Sequence, residues 1–142
     1  MAPPRRPALN AAQQALAISH AFPGTKIDLR CGRLRWEGVL QPSEMSRAYT
    51  VTISLGNDRI PRTRVISPEL ERRDGASIPH LYSDGSLCLY VVGEWRPIML
   101  IARTIIPWTS EWLINYEIWR GTGDWHGGGE WPPRRAELKD AA

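Results

Sequence analysis

A chain of 142 residues with 42% hydrophobic and 23% charged residues has the size and composition of one globular domain. Its net charge of +3 comes from scattered arginines, and no groove-reading or phosphate-cradling motif occurs, so a nucleic-acid partner is not indicated. The apolar run 98–108 is interrupted by Arg103 and Pro107 and is too short to span a membrane. Two cysteines make no disulfide framework. We therefore expect a cytoplasmic protein with reduced thiols.

The N-terminal region combines a loose arm with a helix. Residues 1–7, rich in proline and arginine, are expected to form a flexible arm, and 8–142 a single domain. The stretch "ALNAAQQALAISHAF" has strong helix formers with apolar residues at helical spacing. Pro23 and Gly24 predict its end.

The next segment changes to a period of two. Four stretches alternate apolar and polar residues, and the links between them carry turn residues. This pattern predicts a four-stranded antiparallel meander. Cys31 shares a predicted strand face with Ile27 and Leu29, which predicts that its thiol is buried.

Helical spacing returns after residue 96. Pro97 suits the first turn of a helix, and Pro107 is expected to end or kink it. A second helix is predicted with Thr109 or Ser110 as its N-cap and Gly121 as its stop. Strands followed by helices predict an α+β domain with a glycine- and tryptophan-rich tail from about residue 121.

The segment "IPHLYSDGSLCLYVVGEW" carries the candidate chemistry. Cys88 follows a Ser-Asp-Gly-Ser turn, and His80 lies eight residues before it. A cysteine in an apolar run is commonly a small core residue. A cysteine presented beside a turn can instead be a nucleophile, because its thiolate reacts near neutral pH.

This segment, with the following "EWRP", resembles the active-site segment of ubiquitin-conjugating enzymes. With the family's cysteine placed on Cys88, its motif proline falls on Pro79, and Trp95 and Pro97 match after a shift of one residue. Two positions depart from the pattern. Ile78 stands where the family has histidine, and His80 stands where it has asparagine.

This segment, together with "WLINYEIWRGTGDWHGGG", is more similar to bacterial members of the family than to eukaryotic ones. In particular, it resembles the ubiquitin-conjugating-like proteins of type II CBASS antiphage operons. The resemblance implies the ubiquitin-conjugating-enzyme-like fold: an N-terminal helix, a four-stranded antiparallel meander, the active-site cysteine segment and C-terminal helices. It implies a transferase in which the C-terminus of a ubiquitin-like modifier, or of a cGAS-like nucleotidyltransferase, becomes thioester-linked to Cys88 and is moved to an amine. An activating enzyme would be a further partner.

Roles for the neighbouring residues stay open. His80 could donate to the oxyanion or act as a general base, and backbone N–H groups near Asp84–Leu87 could donate instead. Asp84 is a turn residue that could also position the incoming amine. A non-catalytic binding module of the same fold, or a cysteine hydrolase that releases the same tail, are the alternative functions. Cys31, Cys88 and the histidines show no metal-ligand spacing, so neither a metal nor another cofactor is expected.

The tail adds two further hypotheses. Trp125 and Trp131 would contact a protein partner if exposed, or form a lid if they pack on the domain. His126 would reach the active site only if this loop folds back.

Overall fold

The computed structural model describes residues 2–127. Its first element is helix α1, Ala11–Ala21. A reciprocal capping box begins α1, because the Asn10 side chain accepts from the Gln13 N–H at 2.8 Å while the Gln13 side chain accepts from the Asn10 N–H at 2.9 Å. Ile18 is fully buried, whereas Leu16 is exposed, so α1 packs on the domain through the face that carries Ile18.

Four antiparallel strands follow in chain order and form one sheet. They are β1, Lys26–Arg30; β2, Arg33–Leu40; β3, Tyr49–Leu55; and β4, Pro61–Ser67. The sheet order is β1-β2-β3-β4, so the predicted meander is present. One face packs against the helices, and the opposite face carries mainly charged and polar side chains.

The prediction that Cys31 is buried was wrong. Cys31 is exposed and lies with Gly32 in the two-residue turn between β1 and β2. Both residues have positive φ, 51° and 75°, as a type I′ hairpin turn requires. The chain reverses at Cys31, so its side chain leaves the strand face shared by Ile27 and Leu29.

The C-terminal helices differ from the prediction in their boundaries. A short 3-10 helix covers Ile101–Arg103, and helix α2 then runs from Ile105 to Thr122. Pro107 does not end a helix, because it is the third residue of α2, where a backbone N–H has no partner within the helix. Thr104, rather than Thr109 or Ser110, is the N-cap, and Gly123, with φ of 86°, follows the last turn in place of Gly121.

The core lies between the sheet, α1 and α2. Its largest fully buried side chains include Trp36, Ile53, Ile105 and Leu113. Gln14 is also fully buried, and it joins α1 to the 3-10 helix by donating to the Met99 carbonyl at 2.8 Å and accepting from the Ile101 N–H at 3.0 Å. The architecture is α+β with an N-terminal helix, a four-stranded antiparallel sheet and a C-terminal helix.

Candidate functional site

The segment before Cys88 forms a small hairpin. Leu81 and Leu87 pair as an antiparallel bridge, and the Tyr82 N–H donates to the Ser86 carbonyl at 2.8 Å. Gly85 has φ of 89°, a conformation that glycine adopts without the steric cost of a side chain. The Ser-Asp-Gly turn of the sequence is therefore the tip of a hairpin whose second arm presents Cys88.

Asp84 stabilises this hairpin tip. Its Oδ1 accepts from both the N–H and the hydroxyl of Ser86, at 2.8 and 2.5 Å, and its Oδ2 lies 3.3 Å from an Arg64 nitrogen. Burial alone would raise the pKa of the carboxyl, but the Ser86 hydrogen bonds and Arg64 outweigh it and hold the pKa below its usual value. Asp84 therefore stays ionised at neutral pH.

Main-chain hydrogen bonds join the hairpin to the rest of the domain. The Leu87 N–H donates to the Thr63 carbonyl in β4 at 2.9 Å, and the Cys88 N–H donates to the His80 carbonyl at 2.9 Å. The Trp112 indole of α2 donates to the same His80 carbonyl at 3.0 Å. Cys88 is thus positioned by one strand and one helix of the core, which limits its movement.

The His80 side chain is buried. Its ring centroid lies 5.0 Å from that of Trp125, and the Trp125 ring lies 5.4 Å from that of Trp112. The segment after α2 therefore folds back beneath the hairpin. Trp125 is half-buried there and packs on the domain, whereas His126 is exposed. Trp131 lies outside the described residues.

The Cys88 thiol is half-buried and contacts a residue that the sequence analysis did not identify. Its Sγ lies 3.4 Å from the Tyr82 hydroxyl, within hydrogen-bonding distance, and 3.9 Å from the Tyr90 carbonyl. A hairpin places residues 82 and 88 diagonally across its two arms. Treating "LYSDGSLC" as a hairpin in the sequence would have predicted this pair.

Burial and the Glu94 carboxylate raise the pKa of the Cys88 thiol above its ordinary value, while the hydrogen bond from Tyr82 opposes the rise. Burial also raises the pKa of Tyr82, and the hydrogen bond to Cys88 adds to this effect. The phenol therefore keeps its proton at neutral pH and can donate it in a hydrogen bond to a thiolate. The resting cysteine is mainly a thiol.

The backbone N–H groups around the hairpin tip already have acceptors. The N–H groups of Gly85, Ser86 and Leu87 donate to Tyr82 O, Asp84 Oδ1 and Thr63 O, respectively. In this conformation these three N–H groups are not available to an oxyanion. The Tyr82 hydroxyl faces the sulfur: its oxygen accepts from the Cys88 thiol at 3.4 Å, and its O–H could donate to the thiolate.

Residues 2–127 contain neither a metal-binding cluster nor a membrane-spanning helix. No group of three or more histidine, cysteine, aspartate or glutamate side chains in this range is arranged to hold a metal ion. None of the helices in this range has the length and apolar character needed to cross a bilayer.

Comparison with known proteins places the chain in a family. No curated protein matches it significantly in sequence. The family model described as "Type II CBASS E2 protein" matches residues 14–133, which include the sheet, the hairpin with Cys88 and all of α2. The match covers most of the 142-residue chain, so the protein belongs to the type II CBASS E2 family and has a role in CBASS antiphage defence.

Proposed function

We propose that the protein is a cysteine-dependent acyl transferase with the ubiquitin-conjugating-enzyme-like fold. In this proposal Cys88 carries the C-terminus of a protein as a thioester and passes it to an amine. The observation that carries the proposal is the half-buried Cys88 thiol, held on a hairpin with the Tyr82 hydroxyl 3.4 Å from its sulfur. Membership of the CBASS E2 family supports it.

The first step is attack by the Cys88 thiolate on an activated carbonyl carbon of the tail. Because a free carboxylate is a poor acyl donor, the tail must arrive as an acyl adenylate or as a thioester of an activating enzyme. The new C–S bond replaces the bond to the nucleotide or to the first thiol, which leaves with the electron pair. The proton of the Cys88 thiol passes to solvent.

The second step is attack by an amine on the same carbonyl carbon. A C–N bond forms, the Cys88 thiolate leaves, and the amine loses one proton. A thiolate of high pKa is a strong nucleophile but a slow leaving group. The hydrogen bond from Tyr82 stabilises the departing thiolate, which offsets part of that disadvantage.

Both steps pass through a tetrahedral oxyanion that needs a donor. Tyr82 is our first candidate, because its protonated phenol lies beside the sulfur that bears the acyl group. The imidazole of His80, as donor or general base, remains a second candidate. His80 also supplies the carbonyl that holds Cys88 and Trp112 together.

The proposed cargo is the C-terminus of a cGAS-like nucleotidyltransferase encoded in the same operon, or of another ubiquitin-like modifier. The ionised Asp84 carboxylate lies at the hairpin tip and could orient the ammonium group of an acceptor lysine before it loses its proton.

The test is intact-mass analysis after incubation with the operon's nucleotidyltransferase, with and without ATP and an activating enzyme. We expect an adduct that dithiothreitol removes, that is lost in Cys88→Ala and that persists in Cys31→Ala. Because Cys31 is the more exposed thiol, the second variant controls for nonspecific thiol chemistry. Absence of any adduct under all these conditions would contradict the proposal and favour a binding module.

A cysteine hydrolase would form the same intermediate. The two enzymes differ in what consumes the adduct, so the decay of the purified thioester should be followed with and without added lysine. Decay that accelerates in proportion to lysine, with an amide product of the expected mass, indicates transfer. Decay that lysine does not change indicates hydrolysis.

A further inference from the structure

The outer face of the sheet carries a basic groove at the end opposite the β2–β3 loop. The groove has a volume of about 310 Å³ and is lined by four arginines and one aspartate among its nine residues. The arginines are Arg30, Arg33, Arg35 and Arg62. Leu34, Leu55 and Gly56 complete the lining, but the two leucine side chains are buried in the core on the opposite face of the sheet.

Strand register concentrates these charges at an energetic cost. Arg30 and Arg33 are direct cross-strand partners on either side of the type I′ turn. Like charges in directly opposite positions destabilise a strand pair. Asp28 offsets Arg30 through an ion pair of 3.1 Å, but Arg33 forms no ion pair with a carboxylate among residues 2–127. Arg35 and Arg62 also have carboxylate partners, Glu37 at 3.9 Å and Asp58 at 2.8 Å, so within this range Arg33 is the groove arginine without one.

The spacing of the arginines fits an extended acidic peptide. Arg33 and Arg35 lie two residues apart on β2, about 6.6 Å along the strand, which is also the repeat of alternate side chains in an extended chain. Arg35, Ser54 and Arg62 form one row across β2, β3 and β4. Alternate carboxylates of a peptide could therefore face successive guanidiniums, which bind carboxylates in bidentate geometry.

The lining argues against a nucleotide or a single-stranded nucleic acid. No aromatic side chain lines the groove within the described part of the chain, so a base would have no ring on which to stack.

We infer that this groove binds an extended acidic segment of a protein partner. Arg62 of the groove lies in β4, the strand whose Thr63 carbonyl accepts from the Leu87 N–H of the Cys88 hairpin at 2.9 Å. The inference does not depend on the thioester chemistry, because it concerns reversible binding to the sheet.

The test uses the full-length protein and a fluorescein-labelled ten-residue peptide of alternating glutamate and threonine, capped at both ends. Fluorescence anisotropy should show saturable binding that weakens as salt is raised. The peptide with glutamine in place of glutamate should not bind. We expect Arg33→Glu combined with Arg35→Glu to raise the Kd at least tenfold. The matched control is Arg103→Glu, an exposed arginine of the 3-10 helix, which should change the Kd less than twofold.

The neutral pair Arg33→Gln and Arg35→Gln guards against misfolding, and circular dichroism should match the parent protein. A Kd that is unchanged in both double variants would overturn the inference. An equal rise of the Kd in Arg103→Glu would also overturn it, because that outcome indicates nonspecific attraction to the net charge. Competition at matched ionic strength tests the choice of ligand. That choice would be overturned if a ten-nucleotide single strand or inorganic phosphate displaced the labelled peptide at a lower concentration than the unlabelled peptide does.

Discussion

The Tyr82 hydroxyl lies 3.4 Å from the Cys88 sulfur, across the two arms of one hairpin. Burial raises the pKa of the Tyr82 phenol above its ordinary value, and it also raises the pKa of the Cys88 thiol. This pair couples the reactivity of the cysteine to a neighbouring hydrogen bond. It also defines how the cysteine should respond to pH and to substitution.

Tyr82→Phe should slow alkylation of Cys88 by iodoacetamide at pH 8. Loss of the hydrogen bond raises the thiol pKa further and lowers the thiolate fraction. We expect a decrease of about three- to tenfold, as for loss of about 1 kcal/mol from a hydrogen bond to a charged group at a half-exposed site. The measurement is the rate by intact mass in a Cys31→Asn background, so that only Cys88 reacts.

The pH profile provides a second readout for the same variant. Both proteins should show a rate that rises about tenfold per pH unit below the thiol pKa, with the Tyr82→Phe curve displaced to higher pH. Tyr90→Phe is the matched control, because Tyr90 contacts the sulfur through its main-chain carbonyl. Equal slowing in the two variants would argue against a specific role for the Tyr82 hydroxyl.

Glu94→Gln should speed the alkylation of Cys88, the opposite of the effect expected for Tyr82→Phe. The Glu94 carboxylate raises the pKa of Cys88, so its neutralisation lowers that pKa and speeds alkylation at pH 8, by about twofold for a charge near the surface. Glutamine retains a side-chain oxygen that can accept from the Val91 N–H, as Glu94 does at 3.1 Å. The gain should disappear in 1 M salt, where charges are screened. A slower variant would refute this electrostatic account.

His80→Asn separates positioning from proton transfer. The His80 carbonyl holds Cys88 and Trp112 through the main chain, and asparagine tolerates the observed φ of 52°. We expect the rate of transfer from the purified thioester to lysine to remain within about threefold of the parent protein. General-base catalysis by the imidazole would instead cost about 10²–10⁴-fold. The rate should be measured from pH 6 to 9, where loss of a titration step would identify the imidazole as a base.

Cys31→Asn should stabilise the fold. Cys31 adopts a left-handed conformation at the β1–β2 turn, which costs most residues roughly 1 kcal/mol and costs asparagine less. We expect the free energy of unfolding in urea to rise by about 0.5 kcal/mol. Cys31→Val is the contrasting variant, since a β-branched residue disfavours positive φ, and it should lower the stability. A destabilising Cys31→Asn would contradict the turn assignment.

The strand order was predictable because each strand alternates between a buried and an exposed face, and the links are short. Cys31 was placed wrongly because only the positive φ of the residue before Gly32 distinguishes a turn from one more strand residue. The prediction that Pro107 ends or kinks a helix was wrong because sequence alone does not show whether a proline lies in a helix interior or in its first turn.

The site was predictable only in part. The motif indicated Cys88, and the contact between Tyr82 and its sulfur follows only when residues 81–88 are treated as a hairpin. The contact between His80 and Trp125 joins residues 45 positions apart and depends on where α2 ends. Such contacts follow from tertiary packing, which composition and periodicity do not specify.

The most direct test of the central claim is the chemistry of the adduct on Cys88→Ser. A serine at this position should form an oxygen ester with the carried C-terminus. We expect the parent adduct to be released by dithiothreitol and the Cys88→Ser adduct to resist it while remaining sensitive to hydroxylamine. Each adduct should have the summed mass of the two proteins less one water. An adduct on Cys88→Ser that dithiothreitol still removes would place the thioester on another residue and contradict the account.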